Sequence, residues 1–175
     1  MDAVIDTSTF INIKNVSCEC ILDYLNYNLL ATIYVLQEID KAHEDTKKFY
    51  ETLKRKNKIH HVKLTINDLL EMAKVPPHKK KISDAELSCF VKAKSLGTRA
   101  LCDDKKAIKY VRRYIQLNEV FGIIDLIKEA YLKSYICDED VKAYQKRLNE
   151  TKCRVPDNLL EQFAAEKLKY LMENS

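Results

Sequence analysis

Glycine and proline are scarce in this chain, two and three residues among 175. With no Ser/Gly tract either, no flexible linker or low-complexity segment is expected, and the chain reads as ordered nearly throughout. No stretch approaches the roughly 20 apolar residues that a membrane span needs, and no apolar leader opens the chain. A membrane is therefore not expected as a partner, and the expected location is the cytoplasm. The six cysteines include no C-x-x-C pair and no matched histidine spacing, which argues against a zinc site. Free thiols buried in the core of a protein in a reducing compartment are expected instead.

Charge of one sign is also lacking, since 30 basic residues face 26 acidic ones, for a net charge of +4. That balance leans toward nucleic acid without establishing it, so distribution matters more. Most basic pairs, such as Lys47-Lys48 and Arg112-Arg113, read as solvated helix faces. The HKKK run at 78–81 differs because it abuts an acidic motif, where Lys80 and Lys81 are placed to hold a phosphate backbone.

What is present is a short-period alternation. Ala3-Val4-Ile5 reads as a buried strand, followed by a helical turn over 8–13 and a helix from an N-cap at Ser17 to Tyr27. A second strand is expected over 29–34, an amphipathic helix over 42–57 and a third strand over 59–64. Residues 67–73 read as a short helix. In SDAELSCFVKAKSLG, Ser83 and Glu86 have capping-box spacing and Gly97 a C-cap position. A fourth strand over 99–102 and a helix after it complete the pattern, with a brief fifth strand near Val120. Three helices follow, over 123–135, 139–148 and 158–171. Strands alternating with helices imply an α/β fold with a mostly parallel sheet of four to five strands covered on both sides. The expected organisation is a main domain over 1–137 and a helical C-terminal extension over 138–175 packed on it.

Asp6, Glu38 and the pair Asp103-Asp104 each follow a predicted strand, and Asp84 opens a helix. In an open parallel sheet, residues at the carboxyl ends of the strands converge. Clustered carboxylates raise one another's pKa unless a cation compensates, and an all-oxygen set fits Mg²⁺ or Mn²⁺. Each acid also has a plainer role: Asp84, Glu86, Asp103 and Asp104 suit helix caps or first turns, and Glu38 a solvated helix face. Thr7 and Ser8 can hydrogen-bond the neighbouring carboxylates or a bound phosphate.

VIDTSTFI, the lone acid in VLQEI, SDAELSCFVKAKSLG and ALCDDKKAIKYV together resemble the ordered acidic motifs of PIN-domain ribonucleases, especially VapC-like toxins of toxin-antitoxin pairs. The stretch from VFGIIDLIKEAYLKSYI onward is similar to the tail of a PIN subgroup, so the resemblance spans almost the whole chain. It implies a three-layer α/β/α sandwich with strand order 3-2-1-4-5, and an endoribonuclease hydrolysing RNA with one or two Mg²⁺ or Mn²⁺ ions. Carried over by position, Asp6, Glu38, Asp84 and Asp104 are the catalytic acids. Asp6, Asp84 and Asp104 hold metal with Asp103 as an alternative ligand, and Glu86 orients water. Thr7, Ser8, Lys80, Lys81 and Lys105 contact substrate. Cys102 departs from the pattern, standing where many members carry Thr. The implied partners are RNA, a small antitoxin and a second copy of the chain; the competing expectation is an idle PIN-like module that binds RNA or protein. A haloacid-dehalogenase-type phosphotransferase needs a second Asp where Ser8 stands, and a receiver domain needs a different order of acids.

Overall fold

The computed structural model describes residues 1–75, 82–151, 153 and 155–173. The HKKK run, with Lys80 and Lys81, lies outside them. The chain begins β1 (Asp2–Ile5), α1 (Thr7–Val16), α2 (Glu19–Tyr24), β2 (Asn28–Ala31), α3 (Ile33–Lys41), α4 (Glu44–Arg55) and β3 (Ile59–His61). It continues α5 (Ile66–Ala73), α6 (Asp84–Leu96), β4 (Arg99–Leu101), α7 (Lys105–Tyr114) and β5 (Val120–Phe121), and ends in α8 (Ile123–Leu132), α9 (Asp138–Asn149) and α10 (Leu159–Glu173).

The five strands form one sheet in the order β3-β2-β1-β4-β5, and every neighbouring pair is parallel. Side chains alternate across a strand, so each strand feeds two cores. Ala3 and Ile5 of β1, Leu29 and Ala31 of β2, and Leu101 of β4 pack in one core with α1 to α4 and α8 to α10. Val4, Ala100 and Cys102 pack in the other with α6 and α7. The result is a three-layer α/β/α sandwich. Ile5, Phe10 and Leu29 are wholly buried, a burial that contributes about 1.5–3 kcal/mol for each large apolar side chain. The C-terminal helices share the first core, to which Val141, Tyr144, Leu148, Leu159 and Phe163 belong.

Several boundaries differ from the sequence expectation for local reasons. Thr32 ends β2 early because its hydroxyl caps α3, accepting from Val35 N, which puts Glu38 inside a helix rather than at a strand end. Ser17 closes α1 instead of opening α2; it sits in the left-handed region at φ 56° with its N–H turned back to Ile13 and Lys14. The cysteines are all free, but only Cys18, Cys89 and Cys102 are buried, while Cys20 and Cys137 are exposed. Among the described residues no helix is long and apolar enough to cross a membrane.

Candidate metal centre

β1 lies between β2 and β4, so the direction of chain progression reverses beside it, and the C-terminal end of β1 borders the resulting crevice. Asp6 stands there. Its N–H donates to the Leu101 carbonyl at 2.9 Å, which joins the ends of β1 and β4. Alternation carried one step past each strand sends Asp6, after Val4, and Cys102, after Ala100, to the same face, beneath α6. Asp103 goes to the other face.

Three donors converge on Asp6 Oδ2: Ser8 Oγ at 2.5 Å, Ser8 N at 3.2 Å and Cys102 Sγ at 3.8 Å. Asp6 is both the N-cap of α1 and 2% exposed. Burial pushes its pKa above the ordinary value; the Ser8 hydrogen bonds oppose that rise, and the Glu38 charge adds to it. A buried carboxylate among other acids favours a cation or a proton.

Glu86 faces it from α6. As the third helical residue it folds back to accept from Ser83 N at 2.7 Å, while its own N–H donates to Ser83 Oγ at 3.1 Å. This capping box holds the carboxylate at the helix mouth. Burial, then the charges of Asp6 and Asp104, raise its pKa. Glu38 arrives on α3, which is tied to α6 by a 2.6 Å hydrogen bond between the Thr32 and Ser88 hydroxyls. Ser88 Oγ donates to Ala85 O, so Thr32 is the donor between the two.

Asp6, Thr7, Ser8, Glu38 and Glu86 line a cavity of about 300 Å³ together with Ile11 and Ser83. An oxygen of Asp6, an oxygen of Glu86 and Cys102 Sγ lie within 4.8 Å of one another. Thr7 Oγ1 is buried without a hydrogen-bond partner, an expensive condition for a hydroxyl unless a ligand or water meets it.

The other acids singled out in the sequence stand elsewhere. Asp84 is exposed and is not among the residues lining the cavity; it precedes Glu86 by two positions, about 200° around the helix axis. Asp103 is engaged at both oxygens, by Asn12 Nδ2 and Ile123 N at 2.8 Å each. It ties α1 to the start of α8, and a Cβ on Gly122 would run into its Oδ1. Asp104 caps α7, with its Oδ1 accepting from Lys106 N at 2.6 Å and Ala107 N at 2.9 Å. It remains near enough to repel Glu86. Lys105 is exposed on the first turn of α7. Tyr131 and Tyr144 are buried in the core, and Tyr135 stacks on Tyr24 with ring centroids 3.9 Å apart.

A family model described as PIN domain matches residues 2–168. The chain belongs to the PIN-domain family. Its fold is also found in a chain of the crystal structure of VapBC2 from Rickettsia felis bound to a DNA fragment from their promoter. That match has a TM-score of 0.52 and 13% sequence identity, and covers 70% of this chain and 98% of the other. At such identity the likeness is one of fold. No curated protein matches the chain.

Within this PIN domain, the two features that sequence reasoning undervalued are Glu86, expected to cap its helix and orient water but not to line the cavity as an acid in its own right, and Cys102, noted only as a departure from Thr and not as a donor beside the site. Capping-box spacing hid the first, because a cap and a ligand use the same residue type. Parity along β4 was the available signal for the second: Cys102 shares the face of Ala100, and hence of Asp6.

Proposed function

We propose that this PIN-domain protein is a divalent-metal-dependent endoribonuclease of the VapC-like toxin type. The observation that carries this is the convergence of Asp6, Glu38 and Glu86 on one cavity at the crevice beside β1, with the orphaned Thr7 hydroxyl in its wall. Hard carboxylate oxygens suit Mg²⁺ or Mn²⁺. Asp6 and Glu86 would hold the ion, with Glu38 in the same lining and Asp104 near enough to add its charge. In this assignment Glu86 takes the position that the sequence motif gave to Asp84.

When bound, the ion supplies Lewis-acid stabilisation of the charge that develops on a phosphodiester during in-line hydrolysis. The chain's residues have distinct tasks. Ser8 fixes the Asp6 carboxylate by two hydrogen bonds to one oxygen. The Thr7 hydroxyl donates to a phosphate oxygen or to the attacking water. Glu38 accepts a proton at the cavity wall, and Lys105, with Lys80 and Lys81 from the HKKK run, neutralises neighbouring phosphates of the RNA backbone. A small antitoxin and a second copy of the chain are the partners consistent with this class.

Incubating a mixed RNA pool with the protein and Mn²⁺ or Mg²⁺ tests the proposal. Cleavage that chelator abolishes and Asp6→Asn lowers by several orders of magnitude is expected. Equal cleavage by Asp6→Asn would assign the activity to another site or a contaminant. RNA binding without cleavage in either protein would favour a non-catalytic binding module.

A further inference from the structure

The sulfur buried behind the cleft, outside its lining, has no task in the hydrolysis. Cys102 is wholly buried, 3.8 Å from Asp6 Oδ2, and forms with Asp6 and Glu86 a triad of donor atoms mutually within 4.8 Å. The neighbouring thiol, Cys89, is directed elsewhere, to the Val4 carbonyl at 3.3 Å. A second and independent sign of a ligand is Thr7 Oγ1, whose residue is 8% exposed and which lacks a partner in the wall of the same cavity.

We propose that Cys102 makes this centre a site for a thiophilic divalent ion, zinc, held by Asp6, Glu86 and Cys102 in competition with the hard ion. Magnesium gains nothing from sulfur, whereas zinc takes cysteine sulfur and carboxylate oxygen together, commonly with three protein ligands and one open position. The Zn–S bond forms as the S–H bond breaks, and the proton leaves to solvent. Zinc bound there occupies Asp6 and Glu86, so micromolar zinc would displace magnesium and silence the nuclease. The inference rests on Asp6 and Glu86 being ion ligands, but it can be read without RNA.

The test is a cobalt titration of the full chain, with Co²⁺ as the spectroscopic stand-in for zinc. A near-ultraviolet thiolate-to-cobalt charge-transfer band is expected at one equivalent, bleached by added zinc. It should vanish in Cys102→Ser and persist in Cys20→Ser and Cys137→Ser, the two exposed thiols. A band that survives in Cys102→Ser, or no band in the wild type, overturns the proposal. Because Cys102 is buried, Glu86→Gln at the partly exposed rim gives a separate arm. Its cobalt affinity should fall by at least about tenfold, a loss that even an outer-shell contact produces, and an unchanged affinity would overturn the proposal as well. RNA cleavage in Mg²⁺ with no cobalt band defeats this inference alone, whereas a band without cleavage defeats the nuclease proposal alone.

Discussion

Asp6 and Asp68 are equally hidden, each 2% exposed, and both line hollows, of about 300 and 360 Å³. Their surroundings are opposite. Asp68 Oδ2 receives the Lys92 ammonium at 2.9 Å and the Thr65 N–H at 2.7 Å. Lys92 is itself only 4% exposed. Burial works to raise the Asp68 pKa, but the hydrogen bonds from Thr65 and Lys92 outweigh it and the pKa is lowered. Asp6 has only hydroxyl, amide and thiol donors, and the charge of Glu38 pushes the same way as burial. One carboxylate is completed by the chain and anchors α5, whose Ile66, Leu69 and Leu70 face outward. The other is incomplete within the chain, which is how binding sites for cations differ from structural ion pairs.

The sharpest way to break this contrast is to take the lysine away. Lys92→Met leaves a buried carboxylate without its counter-charge and should cost about 3–5 kcal/mol, measured as a lowered urea midpoint. Adding Asp68→Asn to it should recover much of that loss, since a neutral pair leaves no buried charge. Additive losses in the double variant would mean that Asp68 and Lys92 act independently.

On the nuclease proposal, the partner that Asp6 lacks is an ion from solution. Mn²⁺ at 100 times its dissociation constant should stabilise the wild type by about 2.7 kcal/mol, seen as a shift in thermal or urea unfolding that chelator reverses. Asp6→Asn should lose this response while Lys92→Met keeps it.

Without metal, the Asp6 charge works against folding, and the sign of its pH dependence follows from its raised pKa. Where folded and unfolded forms are both protonated, below the ordinary 3.8, Asp6 costs nothing. As pH rises through the native titration, the unfolded chain ionises more readily and the stabilising protonated form is lost. In chelator, then, Asp6→Asn should gain on the wild type above pH 3.8. The gain should be about 1.4 kcal/mol for each pH unit separating the native and unfolded titrations. Asparagine remains a competent N-cap, so the comparison isolates the charge. A constant difference across pH would remove the electrostatic account.

The sheet was legible because its evidence is local and periodic. Apolar β-branched runs at Ala3-Val4-Ile5 and a Ser83-Glu86-Gly97 frame set strand and helix without tertiary help. The site was legible as an edge but not in detail. Glu38 was assigned to a strand end because LLATIY extends the apolar run, and only the Thr32 cap breaks it. Asp103 and Asp104 were inseparable by motif; strand parity sends Asp103 to Asn12 and Ile123, a contact across 91 residues in one case and 20 in the other. The Lys92–Asp68 pair had no signal in the sequence, because nothing near Lys92 in the chain announces Asp68.

The smallest predicted effect settles which α6 acid belongs to the cleft. Asp84 is exposed at the first turn, where a carboxylate's interaction with the helix dipole contributes roughly 0.3–1 kcal/mol. Asp84→Asn should leave Mn²⁺ stabilisation in place. Glu86→Gln keeps an acceptor for Ser83 N, so the capping box survives in part, yet it removes the charge beside Asp6; the Mn²⁺ response should fall sharply. The two substitutions are isosteric, lie two residues apart and remove one charge each. A difference in metal response between them therefore reports the direction each side chain takes from the helix rather than net charge. Loss of the Mn²⁺ response in Asp84→Asn, with Glu86→Gln unchanged, would return the third acid to the position that the sequence motif suggested.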